Sequence, residues 1–280
     1  MCILSRLRRL CCRNNKHRYI ISSNYDNNDV IEEEEQFELL KPYNNCNNYR
    51  YNQNYLPEKI VSWNINDVIC FSTPYSREII LKRLKIINAD IIFLQGVFNN
   101  DTRTLIIDNL KEIYQYYITG DLYQQYSVFE HSGLLIISKY PIIFNKFIPF
   151  QNQSSIDKLC NKGVLYVTIN KINFALAHCS YYSDIKLIET ELSLIKEESP
   201  FNEYFVVGSL QHSEAYKSFN ISSNNRCYTN IDKQSINDYI LSLYQHLNII
   251  INISYLDITH ISYNYPIIGH IRSNTFEYNL

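Results

Sequence analysis

Glycine is scarce in this 280-residue chain, with six in all, and methionine and tryptophan occur once each. Charged residues make up only 19%, and neither sign prevails, the formal net charge being −2. So balanced a chain lacks the broad cationic face that sequence-independent nucleic-acid binding draws on, which disfavours nucleic acid as a partner. No apolar run approaches the ~20 residues a helix needs to span a bilayer. Arg6, Arg8 and Arg9 interrupt the short apolar stretch at the N-terminus, so it lacks the continuous apolar core of a secretory signal. No two cysteines have C-x-x-C spacing, so zinc-ribbon and thioredoxin readings fall away. The eight cysteines, spread thinly, read as reduced thiols of an intracellular, cytoplasmic protein.

Hydrophobic residues, at 46%, are plentiful enough for a sizeable core and exclude a wholly disordered chain. The 25 tyrosines, with abundant Asn, Ile and Lys, suit the codon bias of an AT-rich genome such as that of a large DNA virus. Composition shifts near residue 56. Residues 1–56 run from basic (Arg6 to Arg18) through the acidic Glu32–Glu35 to Asn-rich sequence around Asn44–Asn54, and are expected to form a mobile arm. Cys2, Cys11 and Cys12 beside the basic residues resemble an acylation cluster, which with a basic patch implies peripheral membrane contact. The alternative is a tail with incidental thiols.

From Pro57 onward strand and helix patterns alternate. Apolar runs predict strands at Lys59–Asn64, Ile91–Gln95, Gly133–Ser138, Ile142–Phe147, Gly163–Ile169 and Ile172–His178. Further strands are expected at Tyr204–Gly208, Ile236–Leu241, Ile249–Tyr255 and Pro266–Arg272. Helical spacing predicts helices over Ser76–Asn88, with Ser76 as N-cap, over Thr102–Tyr114, and over Asp184–Glu197. Many strands with a few long helices point to an α+β chain: two packed, mostly antiparallel sheets flanked by helices, over residues 57–280.

The motifs SWNI (Ser62–Ile65), FLQGV (Phe93–Val97), SGLLIISKYPI (Ser132–Ile142), KGVLYV (Lys162–Val167), AHCSYY (Ala177–Tyr182), VVGSLQ (Val206–Gln211), DYIL (Asp238–Leu241) and SYNYPIIG (Ser262–Gly269) follow one another in a telling order. This series resembles the endonuclease/exonuclease/phosphatase superfamily, and within it the neutral sphingomyelinase branch. The resemblance implies a four-layer α/β/β/α sandwich with its site at one edge of the two sheets. It also implies Mg²⁺-dependent phosphodiester hydrolysis, which needs hard oxygen ligands, a base for water and a proton donor at the phosphate.

Residue by residue, the resemblance places Asn64 at the family's metal- or phosphate-contacting Asn, and His178 at its phosphate-contacting His. Gly96 stands where the metal-binding Glu would be, and a glycine has no side chain to ligate with. Ser209 and Gln211 replace the Asp and Asn of the G-D-x-N motif. A serine hydroxyl with no adjacent base cannot take a proton at neutral pH, and Gln for Asn lengthens the reach by a methylene. Tyr263 and Asn264 replace the Asp–His pair of S-D-H-Y-P, and Asn cannot shuttle a proton. His270 does not fit that register and reads as incidental. Asp157 and Lys162, with four residues between them, are similar to an Asp–Lys pair of the sphingomyelinase branch that the resemblance ties to switching of the site, or else form an exposed ion pair. Asp238 reads as orienting its neighbours rather than reacting.

The substitutions fall on the chemical positions while the framework around them persists, and function resides in the site rather than in the fold. The expectation is therefore a pseudoenzyme that binds no catalytic metal and uses no cofactor, where its relatives would use Mg²⁺. Its partner would be a phosphorylated headgroup or another protein. The alternative is a weak phosphodiesterase, sphingomyelinase- or nuclease-like, with an acidic residue such as Glu130 or Glu214 substituting for the missing ligands.

Overall fold

Eleven strands form two sheets in a computed structural model that describes residues 56–67, 74–120, 132–151, 160–180, 185–221, 229, 236–254, 262 and 264–273. In chain order the elements are β1 (Lys59–Asp67), α1 (Pro74–Ile87), β2 (Ile91–Val97), α2 (Asn100–Leu110), β3 (Tyr116–Thr119), β4 (Leu135–Ser138), β5 (Ile142–Pro149), β6 (Gly163–Ile169) and β7 (Ile172–His178). They continue with α3 (Ile185–Glu197), β8 (Phe205–Ser209), α4 (Ala215–Ser218), β9 (Asp238–Ser242), β10 (Leu247–Ile253) and β11 (Ile267–Ser273). The first sheet runs β10-β11-β1-β2-β4-β3 and the second β5-β6-β7-β8-β9. Among the described strands only the β1–β2 and β7–β8 pairs are parallel, so the mostly antiparallel α+β sandwich expected from the sequence is present.

The layers follow from the period-2 alternation of side chains along each strand. Val61 and Trp63 of β1, with Ile92 and Leu94 of β2, face outward onto Ile80 and Leu84 of α1 and Ile106 and Leu110 of α2. Their neighbours Ile60, Ile91 and Phe93 face inward, onto Phe174, Leu176, Phe205, Val207 and Ile240 of the second sheet. On that sheet's far side Ala175, Ala177 and Val206 pack under Ile188, Leu192 and Ile195 of α3. Three apolar seams between four layers result, each seam burying aliphatic and aromatic groups at roughly 1.5–3 kcal/mol per large side chain.

Several local expectations shift. Ser76 is not an N-cap: α1 begins two residues earlier at Pro74, whose fixed φ and missing N–H suit the first turn, and Ser76 lies buried inside it. The second helix starts at Asn100 because the Asn99 side chain caps it, accepting from the Asp101 N–H at 2.8 Å, and it ends at Leu110 rather than Tyr114. Tyr114 instead drops into the core and donates to the Ala89 carbonyl. Strand β3 and the short α4 were not foreseen. Residues 1–55, including Cys2, Cys11, Cys12 and the arm, lie outside the described residues. No described helix is long and apolar enough to cross a membrane.

Candidate functional site

The alternation that builds the central seam also aims the candidate side chains. In β1 the inward positions are Ile60, Ser62 and Asn64; in β7 Phe174, Leu176 and His178; in β8 Phe205, Val207 and Ser209; in β9 Asp238 and Ile240. Each strand thus changes from apolar to polar on its inner face at the same edge of the sandwich. Register completes the arrangement: His178 pairs with Ser209, and Ser209 with Asp238, one row across three adjacent strands. Partners so placed are neighbours on one face, with Cβ atoms about 5 Å apart.

The facing sheet closes on this row through Asn64, whose Nδ2 donates to Ser209 Oγ at 3.1 Å. Gln211 Nε2 donates to the same oxygen at 2.7 Å. Gln211 sits at φ +55, and the backbone N–H groups of Leu210 and Gln211 both donate to the Asn237 carbonyl. Asn64 Oδ1 accepts from the Asn66 N–H, and its carbonyl accepts from Ser262 Oγ at 2.7 Å. Ser262 Oγ also accepts from the Asn264 N–H, and the Asn264 carbonyl accepts from Trp63 Nε1 at 2.9 Å. Asn264 is thus tied through its backbone to Trp63 and Ser262 at the border of the site. Tyr263 and Asp157 lie outside the described residues.

Gly96, the penultimate residue of β2, lies beside Asn64 at φ +72. A Cβ added there would stand 2.8 Å from Asn64 Oδ1 and 2.9 Å from the Asn66 nitrogen. Both the left-handed backbone and the lack of room favour glycine. The Asn64 side chain fills the space into which a side chain at 96 would extend.

His178 and Asp238 carry the site's electrostatics. Burial holds the His178 imidazole well below its ordinary pKa, and the nearby Lys162 cation adds to this, so the ring is neutral near pH 7. Its Nδ1 has no hydrogen-bond partner among the described residues, and the Phe98 ring centre lies 6.0 Å from that of the imidazole. Asp238, 3% exposed, is pushed up to about 7 by burial, against a smaller downward pull from the Ser209 and Thr229 hydroxyls. Those two hydroxyls are the only polar side chains beside the carboxylate that temper its burial among the described residues. Thr229 Oγ1 accepts from the N–H groups of Asn237 and Asp238. The sequence expectation of a serine without an adjacent base is corrected here: Ser209 has Asp238 directly beside it in register, because β9 returns antiparallel along β8.

Lys162 is only 4% exposed, which overturns the exposed-ion-pair reading on its side of the Asp157–Lys162 pair. Its Nζ donates to the Cys179 carbonyl at 3.3 Å, one residue beyond His178. From α3 the buried Glu191 accepts from the Ser180 N–H at 2.8 Å and the Ser180 hydroxyl at 2.5 Å. Glu191 was missed by sequence reasoning, although a carboxylate inside the apolar stripe Ile188–Leu192–Ile195 signals a buried partner. Asp67, at the end of β1, was also missed; it is buried, with Oδ2 lacking a partner among the described residues. His270 pairs with Lys59 at the opposite end of β1, away from the row. Glu214 is exposed and pairs with Lys217, and Glu130 lies outside the described residues. Among the described residues no three His, Cys, Asp or Glu side chains converge as a metal-binding group.

This architecture has counterparts among solved structures. Sphingomyelinase C from Streptomyces griseocarneus superposes with a TM-score of 0.59 at 15% identity, over 77% of this chain and 99% of that one. A protein from Beutenbergia cavernae, itself described as an endonuclease/exonuclease/phosphatase, superposes at 0.58 with 12% identity, over 77% of this chain and 71% of the other. The chain has the endonuclease/exonuclease/phosphatase fold. Its likeness extends to a double mutant of beta toxin from Staphylococcus aureus with bound magnesium ions, at a TM-score of 0.63 and 18% identity over 77% of this chain and 99% of that one. In structure, then, the chain is sphingomyelinase-like, as its motif series suggested. No family model matches the sequence. An uncharacterized protein of Dictyostelium discoideum is 36% identical over 81 residues, which are 29% of this chain and span 7% of that protein's length.

Proposed function

We propose that this endonuclease/exonuclease/phosphatase-like domain is a pseudoenzyme that holds a phosphate ester without cleaving it. One observation carries the reading: at the position where the family places its metal-binding Glu, Gly96 has a left-handed backbone and Asn64 Oδ1 occupies the adjoining space. The site is remodelled there, beyond the loss of one carboxylate. A small magnesium ion is ordinarily held by one or two protein carboxylates. The described donors fit it poorly: Ser209 is a neutral acceptor already receiving two amide donors, Asn264 has no charge, and Asp238 retains a proton up to about pH 7. What remains is a set of neutral and cationic groups, Asn64, Gln211, His178 and Lys162, suited to a phosphate oxygen once repulsive carboxylates are gone. A phosphorylated headgroup is the ligand class this favours.

The test is calorimetric titration of the full chain. A phosphodiester such as dimethyl phosphate is expected to bind without added metal, and Mg²⁺ alone to show no site tighter than about millimolar. A tight Mg²⁺ site, or diester binding only in its presence, overturns the reading.

Asp67 favours a second reading. Its carboxylate, with one oxygen unpartnered among the described residues, lies at the end of β1, where Asp67 pairs in register with Val97, the residue after Gly96. A slow magnesium-dependent phosphodiesterase drawing on Asp67 would lose metal-stimulated turnover on Asp67→Asn.

A further inference from the structure

The row His178–Ser209–Asp238 contains one group that the binding reading does not use. Asp238 is buried with only the Ser209 and Thr229 hydroxyls beside its carboxylate among the described residues, and it adjoins Ser209, on whose Oγ the amides of Asn64 from the facing sheet and of Gln211 converge. We propose that this row is a proton-gated anion site: a phosphodiester is held against Ser209 and His178 while Asp238 is neutral, and is expelled when Asp238 ionises. The inference rests on the phosphate-ester reading above and adds its regulation.

The gate follows from what surrounds the carboxylate. Strand β8 brings Ser209 and no charge to it, and β10 carries no ionisable side chain. Strand β11 carries His270 and Arg272, and β1 carries Lys59 and Asp67. Lys59 and its register partner His270 lie at the far end of β1 from Asn64, and Arg272 lies beyond His270 along β11. Asp67 is at the near end and, being acidic, cannot neutralise a second carboxylate. Two strands over, His178 is held neutral, and Lys162 is directed to the Cys179 carbonyl beyond it. Glu214, just before α4, acts on Tyr239, on the opposite face of β9. Among the described residues no cation therefore stands beside Asp238, and burial, tempered by the Ser209 and Thr229 hydroxyls, sets its protonation near neutrality. A dialkyl phosphate keeps its single charge across this range, so the change of charge belongs to the protein. By linkage, a ligand that tolerates only the neutral acid must take up a proton as it binds, and its affinity must fall as pH rises.

Calorimetry of the full chain with dimethyl phosphate, from about pH 5.5 to about pH 8.5, tests this. Affinity is expected to hold steady at low pH and to weaken about tenfold per pH unit above the Asp238 midpoint. Comparing heats in two buffers of different ionisation enthalpy should show uptake of a fraction of a proton near pH 7. The isosteric Asp238→Asn should bind at every pH with a flat profile. A flat wild-type profile with binding intact, or an Asp238→Asn profile that still falls, overturns the gate and leaves the phosphate-ester reading standing. Absence of binding at every pH in both proteins overturns both.

Discussion

Asn64 of the first sheet donates its side-chain amide to Ser209 Oγ of the second at 3.1 Å, a hydrogen bond that ties the sandwich together across its polar edge. Because Gln211 also donates to Ser209 Oγ, Ser209→Ala would leave two amides without an acceptor. Stability to urea is expected to fall by roughly 1–3 kcal/mol, since an unsatisfied buried donor costs its full desolvation. Ser209→Cys, a poorer acceptor of similar shape, should fall in between.

Gly96 is the second lever. Gly96→Glu forces a side chain onto φ +72 and against Asn64 Oδ1, so a loss of roughly 1–3 kcal/mol is expected from chemical denaturation. The variant should gain no magnesium site by calorimetry, because the carboxylate can enter only by displacing Asn64.

Asp238 makes stability depend on pH with a definite sign. Its folded-state value of about 7 lies above the ordinary 3.8, so the folded state keeps the proton that the unfolded chain releases. The favourable contribution is fully present below about pH 4 and is lost as pH rises through 7, an effect on the order of a few kcal/mol for so buried a group. Asp238→Asn should flatten the decline and be more stable than wild type at pH 8, as read from denaturation midpoints across pH.

Glu191 anchors the chain just past His178 by accepting two hydrogen bonds from Ser180. Glu191→Ala should cost about 2–4 kcal/mol in thermal or urea unfolding, because it strands a buried N–H and a buried hydroxyl. Glu191→Gln, which keeps one acceptor oxygen, should recover part of that loss.

The layered fold was legible because its signal is periodic: apolar alternation in β1, β7 and β8 and the i, i+3, i+4 stripe of α3 each encode which face is buried. The same alternation placed Asn64, His178 and Ser209 at polar strand ends, where the motif series also pointed. Local chemistry misled where two signals competed, as at Ser76, a good cap residue overruled by Pro74 two positions earlier. Other features depend on pairings between distant segments. That Asp238 adjoins Ser209 follows from the β8–β9 register; that Lys162 is buried follows from its reach to Cys179; that Gly96 is left-handed follows from the approach of Asn64. None of these is written in a window of neighbouring residues.

The most direct measurement of the central claim is turnover of phosphodiesters, namely sphingomyelin, DNA and a bis-aryl phosphate, by the full chain with and without Mg²⁺, set against His178→Ala. The account predicts no metal-dependent hydrolysis above that variant for any of the three. Magnesium-stimulated cleavage that disappears in His178→Ala would contradict it.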